Sequence, residues 1–401
     1  MRLRNRPLLA IALGFLALGA GCGGAGKDEL VIGEYGSLTG GDATFGSSTK
    51  AGVEVALAEL TAAKQGKIGG LPVRVVVEDD QSQAQEAATA VQKLVNQDQA
   101  IAVIGEVASS RSLAGGPICQ AAGVPMISPS STNPKVTEVG DYIFRMCFLD
   151  DFQGRSVALF ATQNLGLKRI AILKDVKSDY SMGLTQFFTE ALTAMGGTVV
   201  AEQAYQAGDQ DFSAQLTALK AKNPEAIYIP GYYTEAGLIA RKARELGINV
   251  PLLGSDGWES EKLLEIGGES LNGSYYTNHW ALDMPKPELQ AFLKAYKDKF
   301  AGSEPDAIAG LAYDAAQVLF ACLEKIATED PEMFKGLASS KAGTPERKAA
   351  ESKLRDLIAA TKDYAGVTGV ITLDEKRNAS KPLVVLEIKG GQKVFNTSIA
   401  P

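Results

Sequence analysis

Residues 101–134 read IAVIGEVASSRSLAGGPICQAAGVPMISPSSTNP and contain the same unit twice, an apolar run followed by a small hydroxyl-rich loop. Ile101-Ala102-Val103-Ile104 is short, β-branched and uncharged, as a strand buried on both faces should be. Gly105 breaks it, and Ala108-Ser109-Ser110 follows where a helix should start. Val124-Pro125-Met126-Ile127 is a second run, emptying into Ser128-Pro129-Ser130-Ser131-Thr132-Asn133-Pro134. Side by side in a parallel sheet, the two strands bring Ser109 and Thr132 to one carboxyl edge, where open α/β sheets bind ligands. Free backbone N–H groups and hydroxyls at such an edge make an anion site without Arg or Lys. The stretch therefore reads either as a seat for the carboxylate of a small ligand or as a pair of loops in which Ser and Thr only cap helices.

The same alternation runs outward on both sides. Leu30-Val31-Ile32-Gly33 reads as the first strand, residues 36–46 as a glycine-rich loop, and Val53, Ala56, Leu57 and Leu60 as one face of a helix. Val73–Val77 is the next strand; Asp79-Asp80 are expected to cap a helix carrying Ala87, Val91, Leu94 and Val95. The pattern restarts near Phe148-Leu149-Asp150, with strands at 170–173, 199–200, 226–229 and 251–253. After a strand at 275–280 helices dominate, until strands return at 369–372, 383–388 and 394–395. Alternation of this kind predicts two α/β lobes with parallel, doubly covered sheets. The segment 335–362, rich in Lys, Glu and Ala, reads as a solvated helix with a loop at 339–343.

A chain of 401 residues exceeds one ordinary core, which agrees with two domains. A net charge of −7 offers no basic patch, so no nucleic-acid partner is expected. Chemistry is sparse. The single histidine, His279, sits on an expected strand and reads as structural rather than catalytic. No G-x-S-x-G elbow, P-loop, HExxH or metal cluster appears, so neither catalysis nor a cofactor is expected. Gly19-Ala20-Gly21-Cys22-Gly23-Gly24 matches GxGxxG but follows no strand of a folded domain and is set aside. Cys119 and Cys147 either pair or stay as two separate buried thiols.

The N-terminus is similar to a bacterial lipoprotein signal. Arg2, Arg4 and Arg6 precede an apolar core at 8–18, then Gly19-Ala20-Gly21 and Cys22. The likeness implies cleavage before Cys22 and lipidation of that residue; it departs from the usual pattern in carrying Gly19 three places before the Cys, with Leu18 one place further back. A plain secretory signal with an incidental Cys is the other reading. Residues 23–27 would be a tether.

Beyond the signal, GSLTGGDATFG, ISPSSTNPKVT, YIFRMCFLDDFQG, GYYTEAGLIARKARELG, LLGSDGWES and GVTGVITLDEK occur in this order. Together they resemble the extracytoplasmic solute-binding proteins of branched-chain amino acid ABC transporters, which have the type I periplasmic-binding-protein fold. The resemblance implies two doubly wound parallel-sheet lobes joined by three hinge crossovers, with the ligand in the interlobe cleft. Residues 28–149 plus 281–366 would form the first lobe and 150–280 plus 367–401 the second. It implies that Ser109 and Thr132 hold the ligand carboxylate, that the Ser130 carbonyl takes the ammonium, and that Asp256, standing where leucine-binding members usually carry Glu, pairs with it. Tyr180 and Tyr232 would cover the ligand from the second lobe; Phe45 stands in place of Tyr or Trp, and Ile308 in place of Phe. With Trp258 nearby, those changes would alter the side-chain pocket while leaving the head-group site intact. Expected partners are a small amino acid and ABC permease subunits, with a membrane reached through the lipid anchor and the protein acting as a monomer outside the cytoplasm. Two alternatives stand beside import: a sensor module, and a binder of a carboxylate or amide that lacks an ammonium.

Overall fold

The computed structural model describes residues 28–282 and 284–401. The expected signal, Cys22 and the tether at 23–27 lie outside the described residues. The first sheet is built from β1 (Leu30–Gly36), β2 (Lys67–Ile68), β3 (Leu71–Asp79), β4 (Ala102–Ile104), β5 (Met126–Ser128) and β6 (Ile143–Arg145). The second contains β7 (Arg169–Asp175), β8 (Thr198–Tyr205), β9 (Ala226–Tyr228), β10 (Leu252–Gly254) and β11 (Ser274–Asn278). Then come β12 (Tyr364–Gly366) and β13 (Gly369–Ile371), which pair only with each other, and β14 (Leu383–Lys389) and β15 (Gln392–Ile399), which complete the second sheet.

Strand order in the first sheet is β2-β3-β1-β4-β5-β6, and in the second β15-β14-β11-β10-β9-β7-β8. Apart from the antiparallel additions β2, β14 and β15, both sheets are parallel. In each, the first strand sits between the second and the third parallel strands. That places one topological switch point between β1 and β4 and another between β7 and β9, and the loops leaving these strands open a crevice. The short runs of the opening stretch are fully buried, as strands covered on both faces require.

Helices cover both sheets. In the helix Ala84–Asn96, Ala87, Ala90, Val91, Leu94 and Val95 recur at helical spacing and are buried with Val31, Tyr35 and Val103. Helices Ala43–Lys64 and Ala307–Glu329 pack so closely that a Cβ on Gly52 would stand 2.1 Å from the Ala309 carbonyl oxygen. Only glycine fits there, which is how a helix far along the chain returns to the first core.

Several expectations change. The chain passes to the second sheet after Phe148 and returns around His279, since Trp280 already packs with Val55, Leu289 and Phe292. The last crossing falls later than the boundary expected at 366/367. Ile371, Leu373 and Ala379 lie in the first core, and the chain joins the second sheet only from Leu383. The cause is a buried anchor: Asp314 accepts from the Val367 N–H at 2.8 Å and from the Thr368 N–H at 3.0 Å, holding the 364–371 hairpin on the first lobe. Asp79 and Asp80 do not cap the helix at 84. Asp79 accepts from the N–H groups of Leu38, Thr39 and Gln81, and Asp80 from Ser37 Oγ and the Ser82 N–H, so both carboxylates fasten the loop after β1. The 335–362 segment is not simply solvated, because Arg347 and Glu351 form a buried ion pair on helix Pro345–Ala359. Cys119 and Cys147 are separate, buried and unpaired.

Candidate functional site

The two switch-point crevices face each other, and the loops at the carboxyl ends of the strands meet between the sheets. Ser109 begins the helix after β4; Ser130 and Thr132 lie on the loop after β5. From the second lobe, Tyr180 stands in the first turn of the helix after β7, Tyr232 just before the helix after β9, and Asp256 at the start of a short turn after β10. A cavity between them is lined by Val107, Ser130, Tyr180, Tyr232, Asp256, Gly257, Glu259, His279 and Ile308. Its free space is about 10 Å³, room for a single water, so the lobes are closed upon the site.

Five of the eight residues expected at the site therefore share one wall: Ser130, Tyr180, Tyr232, Asp256 and Ile308. The other three stand behind it. Ser109 Oγ accepts from the Asn133 N–H at 3.2 Å, tying the two hydroxyl-rich loops together. Thr132 Oγ1 is buried beside the Asp150 carboxylate. Phe45 packs edge-on against Tyr232 at 5.3 Å and Tyr233 at 5.2 Å, sealing the cleft from the first lobe. Trp258, which the resemblance set near the side-chain pocket, is buried in the cluster that also holds Phe45, Val107 and Ile308, and its Nε1–H donates to the Ile229 carbonyl at 3.0 Å.

Asp256 is the polar centre. Tyr180 Oη donates to its Oδ1 at 2.7 Å and itself accepts from the Gly257 N–H at 2.9 Å. The Tyr180 and Tyr232 rings stack at 5.2 Å and 12°. Burial, with the Asp256 charge next, pushes the Tyr180 phenol well above its ordinary range, so it stays a donor. The residue that the sequence reading missed is His279. Its Nε2 lies 3.0 Å from Asp256 Oδ2 and 3.2 Å from Ser130 Oγ, and its ring stacks on Phe148 at 4.1 Å.

Behind the first-lobe wall lies a charged cluster. Arg111 Nη1 donates to Asp42 Oδ2 at 2.8 Å, its Nε lies 3.2 Å from Glu106 Oε1, and its guanidinium sits 5.9 Å from the centre of the Tyr232 ring. Burial works against its charge, but Glu106 and Asp42 more than offset this and hold its pKa above the ordinary value. Direct contacts across the cleft include Ser110 Oγ to Asp179 Oδ2 at 3.0 Å, Asn133 Nδ2 to the Asp179 carbonyl at 2.8 Å and Thr234 Oγ1 to the Gly41 carbonyl at 2.7 Å. The arrangement offers binding groups from both lobes: an acidic side chain, aromatic walls and a hydroxyl-rich loop.

Comparison with known proteins agrees with this geometry. A family model described as periplasmic binding protein matches residues 29–393. The Leu/Ile/Val-binding protein of Rhizobium johnstonii is 34% identical over 307 residues, covering 76% of this chain and 82% of its own. A leucine binding protein from Thermotoga maritima superposes with a TM-score of 0.84 at 37% identity, covering 93% of this chain and 99% of its own. A branched-chain amino acid transporter substrate binding protein from Streptococcus pneumoniae, solved with isoleucine, gives 0.82 at 31% identity, with 93% and 100% covered. Two switch-point crevices closing on one cavity, in a chain matched almost from end to end, place this protein in the type I periplasmic binding proteins, in the branched-chain amino acid group.

Proposed function

We propose that the protein captures a small aliphatic amino acid outside the cytoplasm and delivers it to an ABC permease, held at the membrane by a lipid on Cys22 and acting as a monomer. The observation that carries this reading is the meeting of one buried carboxylate from the second lobe, Asp256, with the hydroxyl-rich loop of the first. A zwitterion needs both an anion site and a counter-charge a few ångströms away, because an unpaired ammonium in a water-poor cleft costs several kcal/mol. The hydroxyl and backbone N–H of Thr132 are suited to the ligand carboxylate, and Ser109 supports that loop from behind. Val107 and Ile308 supply the apolar wall for an aliphatic side chain. One water's room does not hold an amino acid, so the lobes must part to admit it and close less tightly around it.

The test is calorimetric titration, after carried-over ligand has been removed by partial unfolding and refolding, against the common L-amino acids and their desamino counterparts. Micromolar or tighter binding of an aliphatic amino acid is expected, weakened by about 2 kcal/mol in Thr132→Val, which loses a hydrogen bond to a charged group. Binding confined to acids without an amino group would refute the reading.

A second expectation concerns Gly257. A Cβ there would stand 2.8 Å from Tyr232 Cδ1, 2.9 Å from the Gly231 carbonyl oxygen and 3.0 Å from Tyr180 Oη. Gly257→Ala is expected to push both tyrosines off the site and weaken binding by about 1–3 kcal/mol. Unchanged affinity would mean that the tyrosines do not touch the ligand.

A further inference from the structure

His279 is the only histidine in the chain, and it stands where the chain passes back from the second sheet to the first core. Its Nε2 lies within hydrogen-bond distance of one group from each lobe, Ser130 Oγ at 3.2 Å and Asp256 Oδ2 at 3.0 Å. Asp256 is the carboxylate that the amino-acid reading pairs with the ligand's ammonium, and Ser130, met here through its Oγ, is the residue whose carbonyl that reading also gives to it. The other Asp256 oxygen is taken by Tyr180, and the cavity has room for one water. An ammonium approaching Asp256 therefore meets the imidazole first.

We propose that His279 is a specificity-determining residue of the site: its Nε2–H fills the position between Ser130 and Asp256 that a ligand's ammonium takes over, so the imidazole competes with ligands that carry an ammonium and leaves those without one unaffected. This rests on the amino-acid reading above.

The competition depends on the charge of the ring. Nδ1 is buried without a partner, which makes Nε2 the protonated nitrogen of the neutral ring and Nδ1 the atom that gains a proton in acid. The charged groups facing the ring are Asp256 and Glu259 from the second lobe and Lys381 from the last crossing. Burial lowers the His279 pKa below 6.5, and Lys381 acts in the same direction, against the pull of Asp256 and Glu259. At neutral pH the ring is an uncharged donor that a cationic ammonium displaces. Once protonated, it is itself the counter-ion of Asp256, and the ammonium loses its partner.

The experiment follows the tightest-binding L-amino acid and its desamino counterpart by calorimetry from pH 7.5 to 5, in wild type, His279→Ala and His279→Phe. The phenylalanine keeps the stack on Phe148 and lacks the donor. Both variants are expected to bind the amino acid at least about tenfold more tightly than wild type at pH 7.5, the scale of one hydrogen bond to a charged group. They should bind the desamino acid within about twofold, and any fall in amino-acid affinity that wild type shows on acidification should be absent from them. The lone histidine also gives one assignable set of imidazole ¹⁵N resonances. In wild type the Nε2 resonance is expected to shift on addition of the amino acid but not of the desamino acid. Variants with wild-type or weaker amino-acid affinity, or an Nε2 resonance that ignores the amino acid, would overturn the proposal. If wild type binds no amino acid at all, the amino-acid reading itself has failed, a result distinct from binding that ignores His279. Should neither variant fold, the imidazole resonances decide alone.

Discussion

Replacing Asp256 with alanine is expected to weaken amino-acid binding by about 3–5 kcal/mol, a loss of more than roughly a hundredfold in Kd. Asp256 is 6% exposed and is the carboxylate in the cavity wall closest to Ser130, to which His279 Nε2 links it. Glu259, the other acid there, is committed elsewhere: its Oε2 accepts from Tyr276 Oη at 2.7 Å and lies 3.1 Å from Lys393 Nζ. Without Asp256, the ligand's ammonium would be buried with only neutral acceptors. Asp256→Asn separates charge from shape, since it keeps an acceptor for Tyr180 and removes the counter-charge. It is expected to lose nearly as much affinity as alanine for an amino acid and little for a desamino acid, both read by calorimetry. If asparagine and wild type bound the amino acid equally well, the counter-charge would lie elsewhere and the assignment of the ammonium site would be wrong.

Much of this site was readable in the sequence because it is made of strand ends. Most strands announced themselves as short apolar runs, and these runs stopped at Gly, Ser or Asp just before a residue that the structure brings to the cavity or to the loop behind it. Ser109, Ser130, Thr132 and Asp256 all have that local signature. His279 follows the strand 274–278, which is polar and ends in Asn, and a lone histidine at a strand end says nothing about what lies beside it. Its position is fixed by register: β10 and β11 are parallel, with Gly254 opposite Tyr276, so the residues just past each strand come level. No local pattern encodes that pairing. Trp258 follows Asp256 by two residues, and the turn at 256–258 packs its ring into the cluster that holds Phe45, Val107 and Ile308, a placement no local pattern encodes. The late third crossing was hidden too, because Asp314 reaches Val367 and Thr368 across more than fifty residues of sequence. Arg347 and Glu351, spaced i,i+4 in a charged helix, read as a solvated pair, whereas Arg347 Nη1 reaches the Leu337 carbonyl and Nη2 the Gln99 carbonyl.

Lys381→Met is expected to destabilise the protein by about 3 kcal/mol at neutral pH, a fall of roughly 4 °C in Tm. The Lys381 ammonium is 1% exposed and donates to the Met146 carbonyl at 3.1 Å and to Thr368 Oγ1. Thr368 Oγ1 in turn donates to the buried Asp314 at 2.5 Å. One side chain on the last crossing thus holds the strand that leads into the first crossing and supplies the counter-charge of Asp314. Methionine preserves the stem but leaves Asp314 buried among neutral donors, and removing one partner of a buried pair costs more than the pair contributed. The pH dependence carries a sign of its own. Burial depresses the Lys381 pKa from 10.5 to about 8, so between these values the unfolded chain binds a proton that the folded chain has given up. Stability from this group therefore rises with pH across that window, because the folded state is relieved of a buried charge before the unfolded state is. The variant lacks that rise, so the gap in Tm between wild type and Lys381→Met should widen from pH 8 to pH 10.5. A gap that stayed level over this range would mean that Lys381 keeps its proton, and that its charge is held more strongly than its burial implies. The same link should matter for binding: with the first and last crossings uncoupled, the closed state loses a constraint that the open state does not need. Amino-acid affinity is then expected to fall together with stability, while the calorimetric preference among amino acids stays as in wild type, since Lys381 is not part of the cavity wall.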